Sequence, residues 1–250
     1  MRRRVRLYIS QGEAKKILDV VPRIEDYSSL YLAMLPMNAV RNSRMVHKVD
    51  LGAALTNVHA GYAFVLPRVQ ATKDEIKASG GAAFKGDRMV GWISELEMEA
   101  IKFIRNLYLG GVVTVKAPGF ENGMVTLEIT KAHSRITPLI DDEDVRFQVD
   151  IQVECNFGEA INMHSHGKIN SELLKKLELE CSREIERICR QTIRRTQEEL
   201  KTDIFLSDHL LETKKPAFWK KVGKQWDIIF PDVEVDVKVD TEIILIGLVK

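Results

Sequence analysis

The chain has 250 residues, 45% of them hydrophobic, enough apolar material for one large core or two modest ones, and two is the expectation at this length. Thirty-seven Lys and Arg oppose thirty-six Asp and Glu, which excludes a general attraction to nucleic acid or acidic membranes, so an electrostatic partner must be recognised locally. No run approaches the ~18 apolar residues of a membrane span, and MRRRVRLYIS lacks the apolar core and cleavage site of a signal peptide, so the chain as it stands reads as soluble.

The first elements read as a strand over Arg4–Ile9 and a helix over Gln11–Val20, opened by a capping box at Ser10 and Glu13. A second helix over Asp26–Leu35 is bracketed by Pro22 and Pro36. Between Val49 and Arg68 the apolar residues follow no clear period, and Pro67 is expected to end that stretch. GGAAFKGDRMVGWI (80–93) reads as a hairpin turning at Lys85-Gly86-Asp87-Arg88. Ser94 and Glu97 form a second capping box opening a helix to about Tyr108, whose buried stripe is Leu96, Ala100, Ile101, Phe103, Ile104 and Leu107, and which Gly110-Gly111 ends.

From Val112 the period becomes two. Val113 and Val115, a turn at Glu121-Asn122-Gly123, then Val125, Leu127 and Ile129 describe a hairpin. Val145, Phe147, Val149, Ile151, Val153, Cys155 and Phe157 alternate with polar residues, as a strand with one buried face does. Residues 171–205 read as one long helix whose eight basic and eight acidic residues over 171–203 cancel, with Glu186/Arg190, Arg194/Glu198 and Arg195/Glu199 one turn apart. The three cysteines read as core fillers: Cys155 takes an apolar slot in its strand, while Cys181 and Cys189 on one helix would stand ~12 Å apart, too far to bridge.

The segment PAFWKKVGKQWDIIFPDVEVDVKV (216–239) concentrates aromatic and charged chemistry. Pro216 suits a first helical turn, and Phe218, Trp219, Val222, Trp226 and Ile229 or Phe230 recur at helical spacing. Pro231 stops the helix, and Val233, Val235, Val237 and Val239 then alternate as a half-buried strand at a sheet edge. A nucleic-acid surface would interleave its aromatics with its cations on one exposed face; here the rings share a stripe, and six acidic residues between 225 and 242 would repel phosphate. Scaffolding is therefore the favoured reading of the aromatics. Lys214, Lys215, Lys220, Lys221 and Lys224 remain as a local cationic surface for a protein partner, with the domain junction as the other candidate contact.

Catalytic and metal motifs are weak. After Gly81 the glycine pattern places Asp87 where a phosphate loop needs Lys. His164 and His166 lack further ligands by local spacing and read as loop residues before the long helix. Asp141-Asp142-Glu143-Asp144 lacks the glycine and distal Glu of a calcium loop and reads as a turn. Nucleophile-elbow, zinc-protease and paired-cysteine signatures are absent from the sequence, so neither catalysis nor a cofactor is expected.

Four stretches together resemble one family: GGAAFKGDRMVGWISELE (80–97), RRTQEELKTDIF (194–205), PAFWKKVGKQWDIIFP (216–231) and the closing VDVKV (235–239) with Gly247 beyond it. They look like the C subunits of spore germinant receptors, the Ger(x)C lipoproteins. The resemblance implies a non-enzymatic subunit that works with two integral-membrane partners, the A and B subunits, in the response of spores to nutrients. It also implies a lipid anchor at the spore inner membrane. The chain departs from the family in carrying no lipobox, and it reads as lacking the signal peptide and much of the first domain. At Leu206-Ser207-Asp208-His209 the family commonly has a glycine-containing turn. The resulting expectation is an α+β fold in two domains, 1–93 and 94–250, with antiparallel or mixed sheets and a long helix at about 171–205. A soluble module that itself holds a small ligand, placed between the domains, is the alternative.

Overall fold

The computed structural model describes residues 4–39, 42–142, 144–163 and 170–246. It is a mixed α+β structure with two four-stranded sheets, and it divides into two units. The first unit is Met1–Ile101 with Arg194–Val233, and the second is Lys102–Ile193 with Glu234–Lys250.

In the first unit the sheet runs in the order β1 (Ile9–Ser10), β2 (Ala63–Ala71), β3 (Ile76–Lys85), β4 (Arg88–Ile93); β1 is parallel to β2 and the other pairs are antiparallel. The β3–β4 hairpin turns at Gly86, whose φ of 58° is the left-handed conformation this turn requires. Three helices lie between β1 and β2 in the chain: α1 (Ala14–Asp19), α2 (Ser28–Asn38) and α3 (Leu51–Ala60). Ile17, Val20, Leu35, Ala39, Met45, Val69 and Ile76 form one core cluster. Ala54, Phe64 and Leu66 form another.

Several N-terminal expectations fail for local reasons. Ser10 does not cap a helix: it pairs with Val69 as the end of β1, a strand of two residues, and Glu13 sits at the helix start with no side-chain cap. Pro36 lies inside α2, whose last turn runs past it, with the Ala39 N–H donating to the Leu35 carbonyl. Within Val49–Arg68 the uncertain period resolves into α3, capped by Asp50 accepting from the Ala53 N–H and closed by left-handed Gly61, followed by β2. Pro67 does not end this stretch; it lies within β2 where the register shifts, a position at which a strand tolerates a missing donor.

The Ser94–Glu97 capping box is present, with the Glu97 N–H donating to Ser94 Oγ at 3.3 Å and the Ser94 N–H to Glu97 Oε2 at 2.6 Å. It opens α4 (Glu95–Ile104), which stops short of Tyr108. Of the expected stripe Ala100, Ile101, Phe103 and Ile104 are buried, while Leu96 and Leu107 are exposed and Met98 is buried with the four.

The second unit's sheet runs β5 (Gly111–Lys116), β6 (Met124–Asp141), β7 (Asp144–Ile161), β8 (Glu234–Ile246). β5, β6 and β7 pair antiparallel, and β8 lies parallel to β7 at the edge, which a parallel partner reaches only through a long crossover. The alternation from Val145 to Phe157 is as expected, with Phe147, Val149, Ile151, Val153, Cys155 and Phe157 buried. In the acidic turn, Asp142 adopts a φ of 50° between β6 and β7.

Helix α5 spans Ser171–Arg195 and passes into a π-helical turn, Thr196–Leu200, ended by Lys201 at φ 47°. The unbroken helix to residue 205 is thus corrected: the helix ends at Lys201, which caps it in the left-handed conformation. Of its expected ion pairs, Arg195–Glu199 closes at 3.0 Å and Arg194–Glu198 at 4.0 Å. Glu186 and Arg190 turn instead to β8, a more favourable use because they satisfy backbone groups that an edge strand leaves unpaired. Glu178 accepts from the Ile243 N–H, Ser182 donates to the Thr241 hydroxyl, Glu186 accepts from the Val239 N–H and Arg190 donates to the Val237 carbonyl. Four residues of helix advance about 6 Å and two of strand about 6.6 Å, so one helix row keeps step with alternate residues of the strand.

Candidate interaction surface

The segment that follows Lys201 is built around one buried carboxylate. Asp203 Oδ1 accepts from the Phe205 N–H (3.2 Å) and the Ser207 hydroxyl (3.1 Å); Oδ2 accepts from the Asp208 N–H (2.9 Å) and the Trp226 indole N–H (3.0 Å). Burial pushes the Asp203 carboxyl up despite these donors. Asp208 is pushed up to about 7, first by burial and then by the neighbouring Asp203 charge. The cluster fixes the start of α6 (Ser207–Lys214), which is entered through Leu206 at φ 62°. A non-glycine residue is strained there.

Pro216 opens α7 (Pro216–Val222), a 3-10 turn follows at Gly223–Gln225, and α8 (Trp226–Ile229) leads into a second 3-10 turn, Phe230–Asp232. The expected helix is therefore broken, but its aromatic stripe faces inward: Phe218, Trp226 and Phe230 are buried, and Trp219 is half-buried with its ring edge-to-face on Trp226, centroids 5.9 Å apart. A side chain at Gly223 would place a Cβ 2.8 Å from the Trp219 ring, which explains the glycine and the tightened turn. Gln197 donates to the carbonyls of Phe230 and Val233, holding the end of this segment.

Lys214, Lys215, Lys220, Lys221 and Lys224 are all exposed on the outside of this aromatic base. Among the described residues none of the five closes an ion pair. The acids on either side of them are already engaged: Asp227 pairs with Lys85 at 2.5 Å, and Glu212 accepts a hydrogen bond from the Tyr62 hydroxyl. The Tyr62 hydroxyl meets His209 Nδ1 at 2.8 Å, and burial followed by the Glu212 contact pushes the phenol up to about 12, so it stays a donor. Tyr62 and Glu212 are 150 positions apart, which is why no local pattern announced this cluster.

Other candidate chemistry is sparse. Among the described residues no three His, Cys, Asp or Glu side chains converge on a metal position. His164 and His166 lie outside the described residues. Cys155 and Cys181 are buried and their thiols meet; that contact and burial push Cys181 well up, so it stays a thiol. An open cleft of about 460 Å³ lies on the exposed face of the second sheet, over His133, Arg135, Asp150, Gln152, Lys238 and Asp240. Among the described residues no helix is long and apolar enough to cross a membrane.

Residues 79–247, more than half of the chain, match the family model described as spore germination B3/GerAC-like, C-terminal. Spore germination protein YndF of Bacillus subtilis (strain 168) is 28% identical over 243 residues, covering 96% of this chain and 59% of its own length. Spore germination protein B3 of the same organism is 26% identical over 211 residues, covering 83% of this chain and 55% of its own. The chain therefore spans somewhat more than half the length of these relatives. The crystal structure of the GerBC protein superposes with a TM-score of 0.79 at 22% identity, over 98% of this chain and 70% of that one, which shows that the fold is shared. On the family match the chain belongs to the spore germination B3/GerAC-like family, the Ger(x)C group that its sequence motifs resemble.

Proposed function

We propose that this chain is a non-enzymatic component of a germinant receptor at the spore membrane, acting by protein contact with the integral-membrane A and B subunits. In this reading Lys214, Lys215, Lys220, Lys221 and Lys224 form part of the contact surface. The carrying observation is that these lysines stand exposed and unneutralised on a base whose aromatic side chains are buried. A rigid base spares a binding surface the entropy of ordering it. Family membership supports the role in germination, and anchoring belongs to the full-length family through a lipidated segment. Charge reversal at Lys220 and Lys221 tests the surface: co-purification with the membrane subunits should weaken while the melting temperature is unchanged. Undiminished recovery of both subunits would remove these lysines from the contact. Deleting the gene should block the nutrient response of spores that have no paralogue, and normal germination would remove the receptor role.

A second reading, that the chain holds a small ligand itself, is favoured by the 460 Å³ cleft with both charge signs on its walls. Titration calorimetry with amino acids and sugars tests it, with heat expected only if the cleft is a site. Silence across the panel leaves the contact role.

A further inference from the structure

The two edges of the second sheet are treated in opposite ways. At β8 the α5 row of Glu178, Ser182, Glu186 and Arg190 covers the outward side of the strand. At β5 no such cover exists among the described residues. The outward groups follow from the ladder's parity: the Ala117 N–H donates to the Gly123 carbonyl at 2.8 Å, in the same register that pairs Val115 with Val125 and Val113 with Leu127. Odd-numbered residues therefore face β6, and the N–H and C=O groups of Val112, Thr114 and Lys116 point away from the sheet.

Edge strands are normally blunted by charged side chains, Lys above all, or by bulges, shortness, proline or inward charges, and of these β5 carries one lysine, Lys116, at its end. β5 runs six residues in regular register with β6, and Val112, Val113, Thr114 and Val115 all favour extended backbone. Its approach is apolar: Leu109 is 61% and Val112 49% exposed. At its other end Lys116 is exposed and forms no ion pair among the described residues. We infer that the β5 edge is a strand-addition site for an extended segment of a partner protein that places an acidic side chain opposite Lys116 and an apolar one opposite Val112.

The backbone supplies the hydrogen bonds of such a contact, and the Lys116 charge and the Leu109–Val112 surface supply its direction. The inference does not rest on the receptor reading, since it follows from ladder parity and exposure alone.

The test uses amide hydrogen exchange on the full chain with the blocked heptapeptide Ser-Glu-Val-Thr-Val-Leu-Ser, written to pair antiparallel with β5. Without peptide, the amides of Val112, Thr114 and Lys116 should exchange fast and those of Val113 and Val115 slowly. With peptide the first three should become protected, and a peptide with Lys in place of its Glu should bind at least fivefold more weakly. Thr114→Pro removes an outward N–H and leaves the β6 ladder intact, so peptide affinity should fall at least tenfold. Should that variant fold poorly, Lys116→Glu should reverse the preference between the two peptides. The idea is overturned by slow exchange of the three amides in the dilute chain alone, by no protection at millimolar peptide, or by indifference to the charge swap. Protection that grows with protein concentration alone would also overturn it, by giving the edge to a second copy of the chain.

Discussion

Trp226 donates its indole N–H to Asp203 Oδ2 at 3.0 Å, across 23 positions of chain, and both side chains are buried. This bond decides how the tryptophan-bearing segment is held. Trp226→Phe keeps most of the ring contact but leaves a buried carboxylate oxygen short of a donor, a loss of about 1–3 kcal/mol. Urea unfolding should show that decrease, while Trp219→Phe, at a half-buried ring that only stacks edge-to-face on Trp226, should cost less. Equal effects of the two would mean that ring packing, and not the carboxylate bond, fixes the segment.

The neighbouring Asp208 makes stability depend on pH. Its carboxyl is pushed up to about 7 in the folded chain, by burial first and by the Asp203 charge second, against about 3.9 for an unfolded Asp. The folded state thus binds the proton more tightly than the unfolded state does. The resulting stabilisation is complete below pH ~4, falls as pH rises between the two values, and is gone above about pH 7. Asp208→Asn retains an oxygen to accept the His209 N–H, a bond of 2.6 Å in the native chain, but has no proton to lose. Relative to native chain, the variant's melting temperature should therefore improve from about pH 4 to pH 7 and level off above it. A difference independent of pH would show that Asp208 does not titrate in this range.

How much of this was legible in the sequence follows the distance over which each feature is decided. The strand around Val149 and Ile151 was readable because alternation records one buried face, and the Ser94–Glu97 box because both partners lie within one turn. Ser10 and Glu13 carry the same local pattern, yet pairing of Ser10 with Val69 overrode it. Glu186 and Arg190 look like a helical ion pair until β8 is brought beside α5, 53 positions along the chain. The five lysines of 214–224 were expected at the surface and are found there, since they alternate with the rings that seek the interior. Asp203 and Trp226 each lie in a stretch that resembles the family, but no local pattern shows that they meet, because the partners of Asp203 come from a loop, a helix start and a distant indole.

The helix row on β8 predicts a graded series. Glu186→Ala leaves the Val239 N–H without its acceptor, at a position half-buried from solvent, and should lose about 1 kcal/mol. Glu186→Gln keeps an acceptor oxygen and should recover most of that loss. Hydrogen exchange gives a local reading: the Val239 amide should exchange faster in the Ala variant, with the Ile243 amide, held by Glu178, unchanged. Uniform acceleration along β8 would show that the row acts as one unit.

Lys201 closes the π-helical turn at φ 47° with its N–H on the Thr196 carbonyl, and its side chain is exposed. A Cβ in the left-handed region crowds the following carbonyl, a strain that glycine does not carry. An exposed lysine side chain contributes little contact to offset it, so Lys201→Gly should stabilise the first unit by about 0.5–1 kcal/mol despite the greater freedom of glycine in the unfolded chain. Lys201→Val should act in the opposite sense, because a β-branched side chain is least tolerant of positive φ. Thermal unfolding of the three chains at one pH measures the order. If glycine proved the least stable of them, the Lys201 conformation would be carrying no strain, and the end of α5 would have to be held by the Thr196 bond alone.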